Sequence, residues 1–155
     1  MAIEIIERPA ITAVGMSIRT KPMSPEIPAL WPKFVARIPE IQNQSEPRVT
    51  YGVMRDEKDA LLYTAAVAVS APGHVPQGME SLIIPASEYA VFRYPLSGLA
   101  KGFGEIFNRL LPTSDYVQVS APYLERYDES FNPHDSSSAV QICIPVRRRS
   151  QAVNG

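Results

Sequence analysis

"LIIPASEYAVFRYP" (residues 82–95) is a strand-like run of apolar and β-branched residues cut once by a proline, and the chain carries its plan twice. Residues 3–20, "IEIIERPAITAVGMSIRT", have the same alternation and the same break, which reads as a strand interrupted near Pro9. Pro9-Ala10 recurs as Pro85-Ala86, 76 residues on, and Ala13-Val14 as Ala90-Val91, 77 on. Each copy is followed by a helical stretch. In "SPEIPALWPKFVARIPEIQ" (residues 24–42), Ser24 suits an N-cap and Pro25 the first turn. Leu30, Phe34, Ile38 and Ile41 fall at helical spacing, and Pro39 ends or kinks the helix. In "LSGLAKGFGEIFNRLL" (residues 96–111), Leu99, Phe103, Ile106, Phe107 and Leu110 form one stripe that Pro112 closes. Phe34 to Phe107 and Pro39 to Pro112 are both separated by 73 residues.

Each helix is followed by two more strands. "RVTYGVMRD" and "ALLYTAAVAVSAP" are joined by the polar turn "DEKD", and the second is apolar on both faces, as an interior strand is. "YLERYDE" and "AVQICIPVR" occupy the same places in the second copy, separated by the polar loop "PHDSSS". Near-constant offsets through strand, helix and closing proline predict an internal duplication. The expected fold is α+β: a duplicated β-α-β-β unit with pseudo-twofold symmetry, a curved antiparallel sheet and two helices on one side. One domain is expected over residues 1–147, with repeats at about 1–72 and 80–147 and a tail at 148–155.

Composition narrows the function classes. The chain has 155 residues, 45% of them hydrophobic and 20% charged, as in ordinary globular domains. A net charge of -1 argues against a nucleic-acid binder. The basic run Arg147-Arg148-Arg149 reads as a solvated tail. A lone Cys143 excludes an internal disulfide and is compatible with a reducing cytoplasm, the expected location. No signal-like or membrane-spanning run is present in the sequence. His74 and His134 lie in loops without metal-ligand spacing, and neither a phosphate loop nor a nucleophile elbow occurs, so no metal and no cofactor are expected.

One residue carries the functional reading. Glu125 sits mid-strand, and residues two apart share a face, so it points the same way as Tyr123 and Tyr127. At the 73-residue offset its counterpart is Gly52, a carboxylate in one half facing an absent side chain in the other. Trp31, Tyr63, Phe92 and Phe107 are the aromatics expected beside it as cleft walls. A carboxylate among aromatic faces has an electrostatic reason to attract a lipophilic cation, and burial should raise its pKa.

The ordered set "ITAVG", "LWPKF", "TYGV", "LLYTAAVAV", "IPASEYAVF", "FNRLLPTSDY", "PYLERYDESFNP" and "VQICIPV" resembles the gyrase-inhibitor-like, or bacterial effector-binding, domain family over about residues 3–147. The resemblance implies a duplicated β-α-β-β fold and a glutamate, here Glu125, as the polar group of an aromatic cleft. Family members are the ligand-sensing halves of multidrug-responsive transcription regulators, stand-alone gyrase inhibitors, or hydrolases of strained cyclopropane-bearing toxins. Regulators carry a helix-turn-helix domain ahead of the module, whereas the first strand here starts within the first few residues, so no direct nucleic-acid binding is expected. Many relatives have a His-x-Gly step where this chain has Tyr94-Pro95-Leu96.

The leading expectation is a binding domain for an aromatic or cationic organic compound. A hydrolase of strained or electrophilic compounds, with Glu125 as its catalytic acid-base group, is second. An interaction module of the gyrase-inhibitor type is third. The partners expected are a small organic molecule and no membrane, with a homodimer, DNA gyrase and a separate regulator left open.

Overall fold

The computed structural model describes residues 3–149. Nine strands occur among them, β1 (Glu4–Arg8), β2 (Ile11–Thr20), β3 (Thr50–Glu57), β4 (Ala60–Val69), β5 (Glu80–Ile84), β6 (Ser87–Pro95), β7 (Tyr116–Gln118), β8 (Tyr123–Tyr127) and β9 (Ala139–Arg148), with helices α1 (Glu26–Val35) and α2 (Leu99–Glu105). All pairings between named strands are antiparallel, and the order across the sheet is β1-β6-β9-β8-β3-β4-β2-β5, with β7 on β9. Exchanging β1 with β5, β2 with β6, β3 with β8 and β4 with β9 reverses that order onto itself. The duplication read from the sequence is therefore a pseudo-twofold in the fold. Its axis runs through the middle of the β3–β8 ladder, where Gly52 is paired with Glu125.

The β1–β2 and β5–β6 corners make the sheet curl. Pro9-Ala10 joins β1, at one end of the order, to β2 near the other, and Pro85-Ala86 joins β5 to β6 in the same way. Two-residue links cannot span an open sheet of this width, so the two ends come together. The curl encloses a second apolar layer with no helix over it: Ala13, Tyr51, Val53, Ile84, Tyr89, Leu124 and Cys143 are all buried.

Both helices contribute to the larger core on the opposite face. α1 lies on β2 and β4, and α2 on β6. The N-cap of α1 is Pro25 and not Ser24 as expected, so the helix begins one residue later; Ser24 Oγ still accepts the Glu26 N–H at 3.1 Å from just outside the helix. Pro39 lacks the N–H that would bond the Val35 carbonyl, so α1 ends at Val35 instead of reaching Ile41, and a tight turn at Ile38–Glu40 follows. Fully buried Phe34 anchors the helix, a burial that stabilises by roughly 1.5–3 kcal/mol.

α2 differs from the expected single stripe. It continues directly into a π-turn at Ile106–Leu110, where the Leu111 N–H reaches back five residues to the Ile106 carbonyl at 2.9 Å. The buried Leu30 and Phe34 of α1 correspond in burial to Gly102 of α2 and Ile106 at the start of the π-turn, at an offset of 72. The extra residue of the π-turn restores 73 by Pro112. Phe107 is thus not the structural equivalent of Phe34, as the sequence offset implied.

β7 was not foreseen. Its counterpart in the first half is a single bridge, Gln44 to Val69. The basic run is also more than a solvated tail: Arg147 and Arg148 pair with β7, and the Arg149 guanidinium donates to the carbonyls of Leu111, Pro112 and Ser114 past the end of α2. Residues 150–155 of the expected tail lie outside the described residues.

Candidate functional site

A single row of side chains crosses the sheet on the helix-bearing face: Phe92, Ile142, Glu125, Gly52, Ala65 and Met16 are cross-strand neighbours in that order. The row is pseudo-symmetric about its centre. At that centre the first repeat supplies glycine and the second a carboxylate. A Cβ added at Gly52 would stand 2.3 Å from Tyr63 Oη and 2.6 Å from Glu125 Oε1, so no other residue fits this position without displacing the pair.

Glu125 is 5% exposed. Tyr63 on β4 donates its hydroxyl to Oε1 at 2.6 Å, and Tyr127 on β8 donates to the same oxygen at 2.9 Å. The Trp31 indole N–H on α1 donates in turn to Tyr63 Oη at 3.0 Å. Both tyrosine donors fall on one carboxylate oxygen, and among the described residues no lysine, arginine or histidine forms an ion pair with Glu125. Burial raises its pKa, and the two tyrosine hydrogen bonds oppose that rise without cancelling it. Burial, and then the neighbouring carboxylate, hold the Tyr63 and Tyr127 hydroxyls well above the usual phenol range, so both remain donors at neutral pH.

Two aromatic clusters flank the carboxylate. On one side Trp31 meets Tyr63, Tyr127 and Phe34 edge-on, and Phe131 packs on Tyr127 with centroids 4.8 Å apart. On the other, Phe103 and Phe107 lie parallel, with centroids 6.4 Å apart, and both meet Tyr123 edge-on. Burial, with Asp56 and Glu125 nearby, pushes Tyr123 up to about 12. Of the residues expected at the site, Glu125, Gly52, Tyr63, Tyr127 and Trp31 touch or adjoin one another, and Tyr123 and Phe107 form the second cluster. Phe92 shares the row but is separated from Glu125 by Ile142. The sequence reading did not select Phe103 or Phe131. Spacing could have found Phe103, four residues before Phe107 on the helical stripe; Phe131 follows the turn after β8, which no periodicity reports.

His74 and His134 are exposed, and among the described residues no group of three or more His, Cys, Asp or Glu side chains is placed to hold a metal ion. No helix among them is long and apolar enough to cross a membrane. Three surface depressions of about 440–550 Å³ lie elsewhere, at the start of α1, beside β7, and between Glu46 and Arg126, and Glu125 lines none of the three.

The profile of the GyrI-like small molecule binding domain matches residues 1–147. The chain belongs to this family. It is 32% identical over 150 residues to the transcriptional regulator BrlR of Pseudomonas aeruginosa, a match covering 94% of this chain and 56% of BrlR, so it spans little more than half the length of that relative. Among solved structures it is similar to SAV2435 bound to tetraphenylphosphonium, with a TM-score of 0.78, 17% identity and 97% of each chain covered. It is also similar to EcmrR in a complex with DNA, with a TM-score of 0.69, 15% identity, and 95% of this chain and 57% of EcmrR covered. At these identities the two structures attest the shared fold.

Proposed function

We propose that this GyrI-like domain binds a small organic cation bearing aromatic groups, with Glu125 as its counter-charge. One observation carries the reading: a buried carboxylate between two aromatic clusters, its Oε1 held by two hydroxyls, with no cationic side chain among the described residues paired to it. An isolated buried charge is costly, and a ligand cation removes that cost while its rings meet aromatic faces. The tetraphenylphosphonium named for SAV2435 has this chemistry, a single positive charge inside four phenyl groups. Burial raises the pKa of Glu125 and a bound cation favours its ionised form, so affinity should climb as pH rises through that raised pKa and then level off.

Calorimetry with tetraphenylphosphonium and tetraphenylborate, ions of the same shape and opposite charge, tests the reading. The cation should bind and the anion should not. Glu125→Gln should weaken the cation by roughly 2–5 kcal/mol, since it removes a desolvated charge partner. Equal binding of the two ions would reject charge recognition.

A hydrolytic use of the same site is favoured by one further distance, the 2.6 Å between Tyr63 Oη and Glu125 Oε1, which pairs an acid-base carboxylate with a hydroxyl. Multiple turnover of a cyclopropane-bearing or other electrophilic compound, followed by mass spectrometry, would establish it. Product limited to one equivalent of protein would leave binding alone.

A further inference from the structure

Trp31 reaches Glu125 only through another residue, and the direction of that hydrogen bond is fixed by chemistry. An indole N–H can only donate, and a tyrosine hydroxyl has a single proton to give. Trp31 Nε1 lies 3.0 Å from Tyr63 Oη, so at that contact Tyr63 accepts. Its proton is left for Glu125 Oε1, 2.6 Å away. The indole has little freedom to withdraw, because it meets Phe34, Tyr63 and Tyr127 edge-on with centroids 5.2–6.5 Å apart. Tyr127 gives the assignment a second consequence. Its hydroxyl donates to the same carboxylate oxygen at 2.9 Å and also lies beside the Tyr63 hydroxyl. While the indole occupies Tyr63 Oη, both tyrosine protons stay on Glu125. Without that donor the Tyr63 oxygen is open to Tyr127, and one of the two protons has another place to go.

We infer that Trp31 is a positioning residue: its N–H locks the direction of the Tyr63 hydroxyl, and through it helix α1 sets how firmly the buried carboxylate is held as an anion. Hydrogen bonds in such a chain polarise one another, so the indole also strengthens the bond that Tyr63 makes. Burial pushes Glu125 toward its neutral form, and the bonds from Tyr63 and Tyr127 are what oppose it. No other neighbour can take over this task. Gly52 on β3 and Ile142 on β9 do not titrate, and Tyr123, on the same strand face, interacts with Asp56. The inference rests on the binding reading above only for what it means to a ligand; the relay itself lies within the chain.

Trp31 is the sole tryptophan, so growth on benzothienylalanine replaces its N–H by sulfur in nearly the same shape and changes no other residue. Carbon NMR on glutamate-labelled full chain, without ligand and with Glu125→Gln to assign the signal, follows the carboxyl titration. Its midpoint should rise by roughly half a pH unit, the scale of one indirect hydrogen bond. In Tyr63→Phe the same replacement should leave the midpoint unmoved, because the indole then has no hydroxyl to direct. A midpoint that stays or falls in the otherwise native chain overturns the inference. An equal shift in both backgrounds also overturns it, since Trp31 would then act by packing. If the benzothienyl protein does not fold by far-UV circular dichroism, Trp31→Phe goes through the same cycle and decides. For a bound cation, the pH profile of tetraphenylphosphonium affinity should move up with the titration while its high-pH plateau is unchanged. Binding that is absent from the parent, or a profile that stays put while the titration moves, strikes the binding reading and leaves the relay standing on the carboxyl titration.

Discussion

At the scale of single residues, the site depends on one charge that burial disfavours. Glu125 has a pKa raised in the folded state because desolvation outweighs its two tyrosine hydrogen bonds. The sign of the linkage follows. The folded protein holds this proton more tightly than the unfolded chain, so the associated stability is fully present below the usual carboxylate range. It is lost as pH rises through the raised pKa. Glutamine mimics the protonated side chain, and its carbonyl can still accept from Tyr63 and Tyr127. Glu125→Gln should therefore melt close to the parent near pH 4 and progressively above it as pH rises through the raised pKa, with a constant gap beyond. All other titrating groups are common to both proteins and cancel in the difference. Thermal melts of the pair across pH 4 to 9 check this; a gap that is flat, or that narrows as pH rises, contradicts it.

At the scale of elements, propensity and packing give opposite signs at Gly102 on α2. Alanine is the better helix former by about 1 kcal/mol. A Cβ at this position, however, would stand 2.6–2.9 Å from ring atoms of Tyr94 on β6, the strand that α2 packs against. The ring is wide and its hydroxyl is tied to Glu105 at 3.0 Å, so it cannot simply turn aside. Overpacking of this kind costs roughly 1–3 kcal/mol, and Gly102→Ala should lower stability in urea titrations despite its propensity. An increase would mean that the helix shifts freely over the sheet. The same contrast between local and tertiary signals explains what the sequence disclosed. Alternation, corner prolines and the offset between Gly52 and Glu125 are local or additive patterns, and they located the strands and the central pair. The π-turn changes one hydrogen-bond register without any proline or glycine to mark it, and β7 is three residues long. Tyr63 was selected as an aromatic wall residue, but its bond to Glu125 crosses two strand pairings, which no local pattern reports.

At the scale of the whole molecule, the two repeats are not two folding units. β1 of the first half pairs with β6 of the second, and β5 of the second pairs with β2 of the first. The β3–β8 ladder joins the halves again at the centre, and buried residues of both lie in each apolar layer. The first half alone would keep its helix and the paired strands β2, β4 and β3, but would leave β1 without a partner, lose the neighbours β5 and β8 on both sides, and lose the cover over Tyr51, Val53 and Ala66. That leaves too little buried apolar surface to offset the conformational entropy of ordering. The full chain should accordingly unfold in one cooperative transition. Its single tryptophan, Trp31, reports on the first half, while far-UV circular dichroism reports on the whole sheet. The two urea curves should superimpose, and residues 3–78 expressed alone should show neither a strand signal nor a cooperative transition. Curves separated along the urea axis, or a folded half-chain, would show that the swapped β1 and β5 pairings only decorate two independent modules. The site would then be a junction between domains. If instead the curves coincide, the Gly52–Glu125 pair sits at the centre of a single cooperative unit, and a ligand bound there should raise the urea midpoint of both probes equally.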